Sequence, residues 1–234
     1  MDLRTVTATG STNADVLALA DAGVGEGLWL RAEAQTAGRG RQGRAWVSRT
    51  GNLYASTLVR LRPGDPPAPT LALVAAVALE EAVSLLCPGG NGRAVTIKWP
   101  NDLLLDGAKL AGILLERSGD AVVVGFGVNC AHAPDLPDRA TTHLNGAVDP
   151  AILVETLAEV FARWASRWRA EGIAPVRARW QERAHPRGAA LVARLSDGEA
   201  VEGLFDGLDA DGALRLRLAD GARRVIHAAD VFLL

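Results

Sequence analysis

Two lysines stand out in a chain that otherwise uses arginine for its cations: of 25 basic residues in 234, only Lys98 and Lys109 are lysine. An ammonium is a compact, mobile point charge that a planar guanidinium cannot imitate, so a lysine kept against that bias points to work at one atom of a ligand. Survival by drift is the alternative, and either lysine alone also fits a strand end in water. Their surroundings are less ordinary. Lys98 opens the turn Lys98-Trp99-Pro100-Asn101-Asp102, whose amide and carboxyl side chains can hold a ribose, an adenine edge or a Mg²⁺-bound phosphate. Lys109 is followed by Gly112, and a glycine in mid-strand often marks close approach of a ligand or backbone.

A second stretch, Gly38-Arg39-Gly40-Arg41-Gln42-Gly43-Arg44-Ala45-Trp46, puts three arginines in a glycine-rich loop. Clustered guanidinium groups repel unless an anion gathers them, and their forked donors suit phosphate or carboxylate. A solvated basic loop is the plainer alternative; Trp46 at its end favours a lid or stacking platform. The loop satisfies G-x-G-x-x-G, yet a dinucleotide fingerprint needs a helix opening at its glycines and an acid about 20 positions on. Here a strand follows, and no acid comes before Asp65. No Gly-Lys-Ser/Thr follows either, which excludes a P-loop. A third stretch, Gly125-Phe126-Gly127-Val128-Asn129, removes side chains from one sheet face, making either a bulge or a floor for a flat ligand.

The elements that must position these residues are legible in the pattern. A short helix is expected at 14–22, capped from Ser11-Thr12-Asn13. Strands are expected at 27–35 and 53–61 around a loop at 38–49. A long apolar helix ends near Leu86, and Pro-Gly-Gly-Asn-Gly at 88–92 breaks the chain. Strands at 95–99, 103–105, 109–116 and 121–128 follow, with Asp106-Gly107 a strong two-residue hairpin signal. Residues 131–150 read as loop. An amphipathic helix at 152–168 carries Leu153, Leu157, Val160, Phe161, Trp164 and Trp168 on one face. After Pro186 the composition changes to short alternating strands with Asp-Gly pairs at 197–198, 206–207, 211–212 and 220–221, as in a small β-barrel. Two units are expected, 1–186 and 187–234.

With 25 basic and 27 acidic residues the formal net charge is −2, so nothing global invites nucleic acid or anionic lipid, and an anion site must be local. The start shows no secretory pattern, and the apolar run 68–86 contains Glu80 and Glu81, which reads as a buried helix and not a membrane span. Cys87 and Cys130 form no spacing motif, and the cytoplasm is the expected location.

Taken in order, Ser11-Thr12-Asn13, Glu33-Ala34-Gln35, the arginine loop, Lys98–Asp102, Lys109-Leu-Ala-Gly-Ile-Leu and Gly125–Asn129 make this chain resemble the biotin protein ligases over essentially its whole length. Residues 139–144 and the C-terminal strands fit the same pattern. The resemblance implies an α/β (α+β) fold, a mixed-sheet catalytic domain followed by an SH3-like barrel. It also implies that biotin is activated by ATP to biotinyl-5′-AMP and passed to a lysine of a biotin carboxyl carrier protein. Some members begin with a helix-turn-helix domain; only ten residues precede Ser11, so no DNA partner is expected.

By the same resemblance Lys109 contacts the biotin carboxylate, and Arg39, Gly40 and Arg41 cover biotin and the adenylate phosphate, Arg41 with a catalytic part. Ser11, Thr12, Asn13 and Gln35 hydrogen-bond biotin, with Gly112 and Gly127 beside it. Arg44, Trp46, Asn101 and Asn129 fall with Arg41 on the nucleotide side, and Lys98 neutralises ATP phosphates. Mg²⁺ arrives with ATP, Asp102 being its only nearby ligand. No membrane partner is expected, and the protein is expected to be a monomer or weak homodimer. The alternatives are a lipoate-type acyl-adenylate ligase and a non-catalytic biotin or nucleotide sensor. A nucleic-acid adaptor is disfavoured by Asp197, Glu199, Glu202, Asp206, Asp209 and Asp211 in the C-terminal strands.

Overall fold

The computed structural model describes residues 2–87 and 94–233, so the break expected at 88–92 lies outside the described residues. In chain order the first unit runs β1 (Asp2–Thr9), α1 (Thr12–Asp21), β2 (Leu28–Gln35), β3 (Leu53–Arg60), α2 (Leu71–Leu86), β4 (Val95–Lys98), β5 (Asp102–Leu105), β6 (Ala108–Ser118), β7 (Ala121–Val128), α3 (Pro150–Glu171) and α4 (Ala174–Arg183). The second runs β8 (Ala190–Arg194), β9 (Ala200–Leu208), β10 (Leu214–Arg217), β11 (Arg223–Ile226) and β12 (Asp230–Leu233).

The first seven strands form one sheet in the order β1-β2-β3-β7-β6-β5-β4. The β1–β2 pair is parallel and the others antiparallel, which makes the sheet mixed. Strands β3 and β7 read as nearly continuous apolar runs because both their faces are covered. One face receives α1 through Val16 and Ala20, against Leu28, Leu58 and Val123. The other receives α2 and α3. Helix α2 is apolar almost all round because it is buried almost all round, between sheet, α3 and α4. Its one fully buried charge, Glu80, is held by Arg179 at 3.1 Å and Arg183 at 2.6 Å, both on α4. Helix α3 starts at Pro150 behind an Asp149 N-cap that accepts from the Ala151 N–H, and its predicted apolar face is the buried one.

Two elements escaped the sequence. Strand β1 is exposed along most of its length and has no alternating apolar face; backbone pairing to β2 makes it a strand. Helix α4 is arginine-rich and anchored by only Val176 and Trp180, one turn apart. A third expectation shifts: α1 begins at Thr12 instead of 14, and Ser11, at the N-cap position, makes no side-chain capping bond. Thr12 and Asn13 turn inward toward the sheet.

The C-terminal strands form an antiparallel sheet in the order β11-β10-β9-β8-β12. Three of the four Asp-Gly pairs sit in turns, but Asp206-Gly207 lies inside β9. Leu214 faces Leu208 while Leu216 faces Phe205, so β9 holds one extra residue there, and Gly207 (φ 95°) absorbs it. The pair makes a bulge and not a hairpin.

Candidate functional site

The Asp106-Gly107 turn takes positive φ at both residues (53° and 82°), the two-residue geometry that keeps a hairpin twisted correctly, and it fixes how β6 lies on β5. Asp102 faces Gly112, and Gly112 faces Gly127 on β7. In a regular strand, positions 109 and 112 would point to opposite faces. The register slips between Leu103, opposite Ala111, and Leu104, opposite Lys109. That bulge sends Leu110 into the core and returns Lys109 to the face that carries Asp102 and Gly112. The Lys109 Nζ lies 2.6 Å from Asp102 Oδ1, and both side chains are nearly buried. The Lys109 backbone is clamped as well, donating to Ala140 O and accepting from the Thr142 N–H, each at 2.9 Å. Asn129 holds the same segment through a 3.1 Å bond from Nδ2 to Thr142 O.

Above this floor stands Trp46. A Cβ at Gly127 would come within 2.6 Å of its Cε2, and one at Gly112 within 3.0 Å of its Cζ3. The two glycines are therefore needed to let the indole lie on the sheet: the surface expected to take a flat ligand carries Trp46 itself. The ring centre is 5.5 Å from Lys109 Nζ, and the indole Nε1 is buried without a hydrogen-bond partner, a donor available to a ligand. The loop that carries Trp46 is a tight ribbon. Gly40 N donates to Arg44 O, Trp46 N donates to Gly38 O, and a single helical turn at Arg41–Gly43 closes its tip.

Each arginine of this loop meets a carboxylate of the protein, Arg41 and Arg44 the same one. Arg39 reaches Glu116 at 3.4 Å. Arg44 donates from Nη2 to both carboxylate oxygens of Asp230, at 2.9 and 2.8 Å. Arg41 lies 3.7 Å from the same carboxylate and donates to Asn101 Oδ1 and Ala229 O. Burial pulls the Arg41 guanidinium below its ordinary value, and Asp230 works against that.

At the other end the lining is neutral and polar. Gln35 Oε1 accepts from the Thr12 N–H (2.8 Å) and hydroxyl (3.1 Å), and Gln35 Nε2 donates to Ser48. The Ser56 hydroxyl donates to Asn13 Oδ1 at 2.6 Å. Asn13 Nδ2 donates to Glu116 at 2.8 Å and to Leu114 O, which ties α1 to β6. Gly125 makes room for it, since a Cβ there would fall 2.0 Å from Asn13 Oδ1.

These groups enclose a cavity of about 330 Å³. Ser11, Thr12, Asn13, Gln35, Arg39, Gly40, Arg41, Arg44, Trp46, Asn101, Asp102, Lys109, Gly112, Gly127 and Asn129 all line it, which brings together every residue given a site role from the sequence except Lys98. Lys98 faces Asp102 across the β4–β5 pair, and its ammonium sits 5.4 Å from the ring centre of Phe232 on β12. Burial lowers its pKa, and Asp102 partly restores it.

Residues 22–130 match the biotin/lipoate A/B protein ligase family, and residues 192–234 match the biotin protein ligase C-terminal domain. A biotin–[acetyl-CoA-carboxylase] ligase of Paracoccus denitrificans is 44% identical over 238 residues, covering 96% of this chain and 97% of that one. The chain belongs to the biotin protein ligases. Among solved structures of this family, the Aquifex aeolicus enzyme in complex with biotin and ATP shares the fold over 100% of this chain and 98% of its own, with a TM-score of 0.84 at 23% identity. The Leishmania major enzyme in complex with biotinyl-5-AMP matches over 97% of this chain and 99% of that chain, with a TM-score of 0.68 at 27% identity.

The sequence missed Arg139, Asp138 and Asp230 as cavity residues. Asp230 had no local signal, because it belongs to the C-terminal sheet and meets the arginine loop only through the packing of the two units. Asp102 is paired with Lys109, and among the described residues no group of three His, Cys, Asp or Glu is placed to hold a metal ion on protein ligands alone.

Proposed function

We propose that this cavity is where the chain performs both half-reactions of a biotin protein ligase, with residues 1–186 as the catalytic unit and 187–234 as the barrel that closes it. The enzyme forms biotinyl-5′-AMP from biotin and ATP and transfers biotin to the carboxyl carrier protein of acetyl-CoA carboxylase. In the first step a carboxylate oxygen attacks the α-phosphorus of ATP, the bond to the β-phosphate oxygen breaks, and pyrophosphate leaves with that electron pair. In the second, the ε-amine of the acceptor lysine attacks the acyl carbon and AMP leaves.

The observation that carries this reading is the placement of the Lys109 ammonium, between a neutral polar end and a cationic one, beside the indole that the glycines seat. The first step brings two anions together, so a fixed cation between them is the main requirement. Thr12 and Gln35 present donors and acceptors suited to the ureido ring of biotin, with Ser11 beside them and Asn13 fixing the wall. Lys109 then meets the carboxylate, and Arg39, Gly40 and Arg41 cover the nascent adenylate. Arg44, Asn101, Asn129 and the free Trp46 Nε1 take the nucleotide side, with Lys98 beyond Asp102 toward the phosphates. Mg²⁺ enters as the ATP complex, with no step assigned to a protein-bound ion. The balanced overall charge supports a reading without a DNA or membrane partner, and the proposal includes a cytoplasmic location and a monomer or weak homodimer.

The test is to incubate the protein with ATP, Mg²⁺ and biotin, follow pyrophosphate release, and recover biotinyl-5′-AMP bound to the enzyme. Release with lipoate and none with biotin would move the chain to the lipoate side of the family.

A further inference from the structure

Three cations converge on one aromatic ring just behind the cationic end of the cavity. Arg194 Cζ lies 4.6 Å from the Phe232 ring centre, Lys98 Nζ 5.4 Å and Arg139 Cζ 5.9 Å. They come from three places: β8, β4 and the loop after β7. Only the docking of the C-terminal sheet on the catalytic sheet assembles them. A cation over a phenyl face is only weakly attracted at an exposed site, which does not offset bringing three like charges together.

Their partners deepen the puzzle. Arg139 is paired with Asp138. Asp102 is taken by Lys109, and Asp230, the β12 residue directly opposite Arg194, is taken by Arg44 and Arg41. Among the described residues neither Lys98 nor Arg194 has a carboxylate within ion-pair distance, whereas every other cation around the cavity has one. The unmatched positive charge is therefore local, two side chains wide, and adjoins cavity-lining Arg139 and Asp230.

We propose that Lys98, Arg139 and Arg194, spaced by Phe232, form a station for the pyrophosphate leaving group, with Arg194 of the C-terminal sheet as a phosphate-binding residue. This rests on the adenylation reading above. When the biotin carboxylate attacks the α-phosphorus, the departing diphosphate moves away from Lys109, and this is the side of the cavity where unpaired cations await it. A guanidinium and an ammonium gathered around one ring can each take one phosphate of a diphosphate. No proton or further reactant is required.

The experiment measures ATP–pyrophosphate exchange and, separately, the calorimetric binding of inorganic pyrophosphate, in the whole protein and in Arg194→Ala. The variant is expected to raise the KM for pyrophosphate about tenfold, the loss of one charge-assisted contact, and to weaken pyrophosphate binding by a similar factor. Arg194→Lys should recover part of it. Transfer from pre-formed biotinyl-5′-AMP, in which no pyrophosphate takes part, is the internal control: an equal loss there would show that Arg194 acts through the fold of the C-terminal sheet, and would overturn the proposal. So would an unchanged KM for pyrophosphate. Calorimetry needs no catalysis, so a protein that binds pyrophosphate through Arg194 but makes no adenylate would refute the adenylation reading and leave the station standing.

Discussion

The β5–β6 hairpin and the arginine loop both deliver cations to one cavity, and the fold holds them in opposite ways. Lys109 is fixed by strand register, a bulge, backbone bonds on both sides and a nearly buried ion pair. Arg44 is held mainly by an ion pair at a half-exposed side chain, the kind typically worth roughly 0–1 kcal/mol. In the proposed mechanism, the charge that meets the reacting atoms is the one built into the sheet. The charges proposed to exchange a protein carboxylate for a phosphate ride on a ribbon held by weaker ties. The comparison can be broken at four points.

The largest effect is expected at the rigid end. Lys109→Ala should cut adenylate formation by about 10²–10³-fold, the loss that follows removal of one preorganised charge-stabilising donor. It should also lower the melting temperature, because Asp102 is left buried without its partner. Lys109→Arg should rescue poorly, since a planar fork does not fit the point-charge position. Pyrophosphate release measured on an Arg variant with near wild-type turnover would contradict the claim that the register serves an ammonium.

Next comes the floor. Gly127→Ala leaves the backbone unstrained but puts a methyl 2.6 Å from Trp46 Cε2, so the indole must lift. Adenylation should fall about ten- to a hundredfold, as expected when a roof is displaced by about an ångström, with a shift in tryptophan emission. Gly112→Ala, with its nearest approach at 3.0 Å, should do the same more weakly.

The mobile end should fail by leaking. Arg41→Gly removes the contacts to Asn101 and Ala229 and loosens the ribbon further. Adenylate should still form at a reduced level, with Lys109 in place, but escape faster and acylate bystander amines. A streptavidin blot of a mixture without natural acceptor reads this directly; equal labelling by parent and variant, both making adenylate, would show that Arg41 does not retain the intermediate. Asp230→Asn should produce a milder version.

The smallest effect is on stability against pH, at the seam between the two units. His185 Nε2 is buried without a partner, and burial, then Lys98, holds the imidazole below its ordinary value of 6.5. A folded-state pKa below the unfolded one means the unfolded chain binds the proton more readily, so this contribution is present above about pH 6.5 and is lost as pH falls through the lower folded value. Melting temperature followed down through that range should decline less steeply in His185→Gln. Parallel curves would exclude His185 as a source of the acid sensitivity.

What the sequence determined by itself is chemistry that lives in short segments. The lysine retained at 109, the arginines of 39–44, the glycines at 112 and 127 and the Asp106-Gly107 hairpin are local statements, because residue type and turn geometry are set within a few positions. The apolar runs of β3, β7 and α2 likewise follow from burial on all sides. Tertiary structure decided the rest. Strand β1 exists through pairing to a neighbour, and α4 through two anchors and the Glu80 pairs, neither of which leaves a periodic trace. Gly112 and Gly127 seat Trp46, and Asn13 also braces α1 on the sheet, since which side chain fills a gap depends on elements far apart in the chain. Asp230 reaches the cavity, and Arg194 comes to lie beside Phe232 near it, only because the C-terminal sheet packs there. A charge contributed across such a seam has no sequence neighbour to announce it, and only long-range packing can bring it to the cavity.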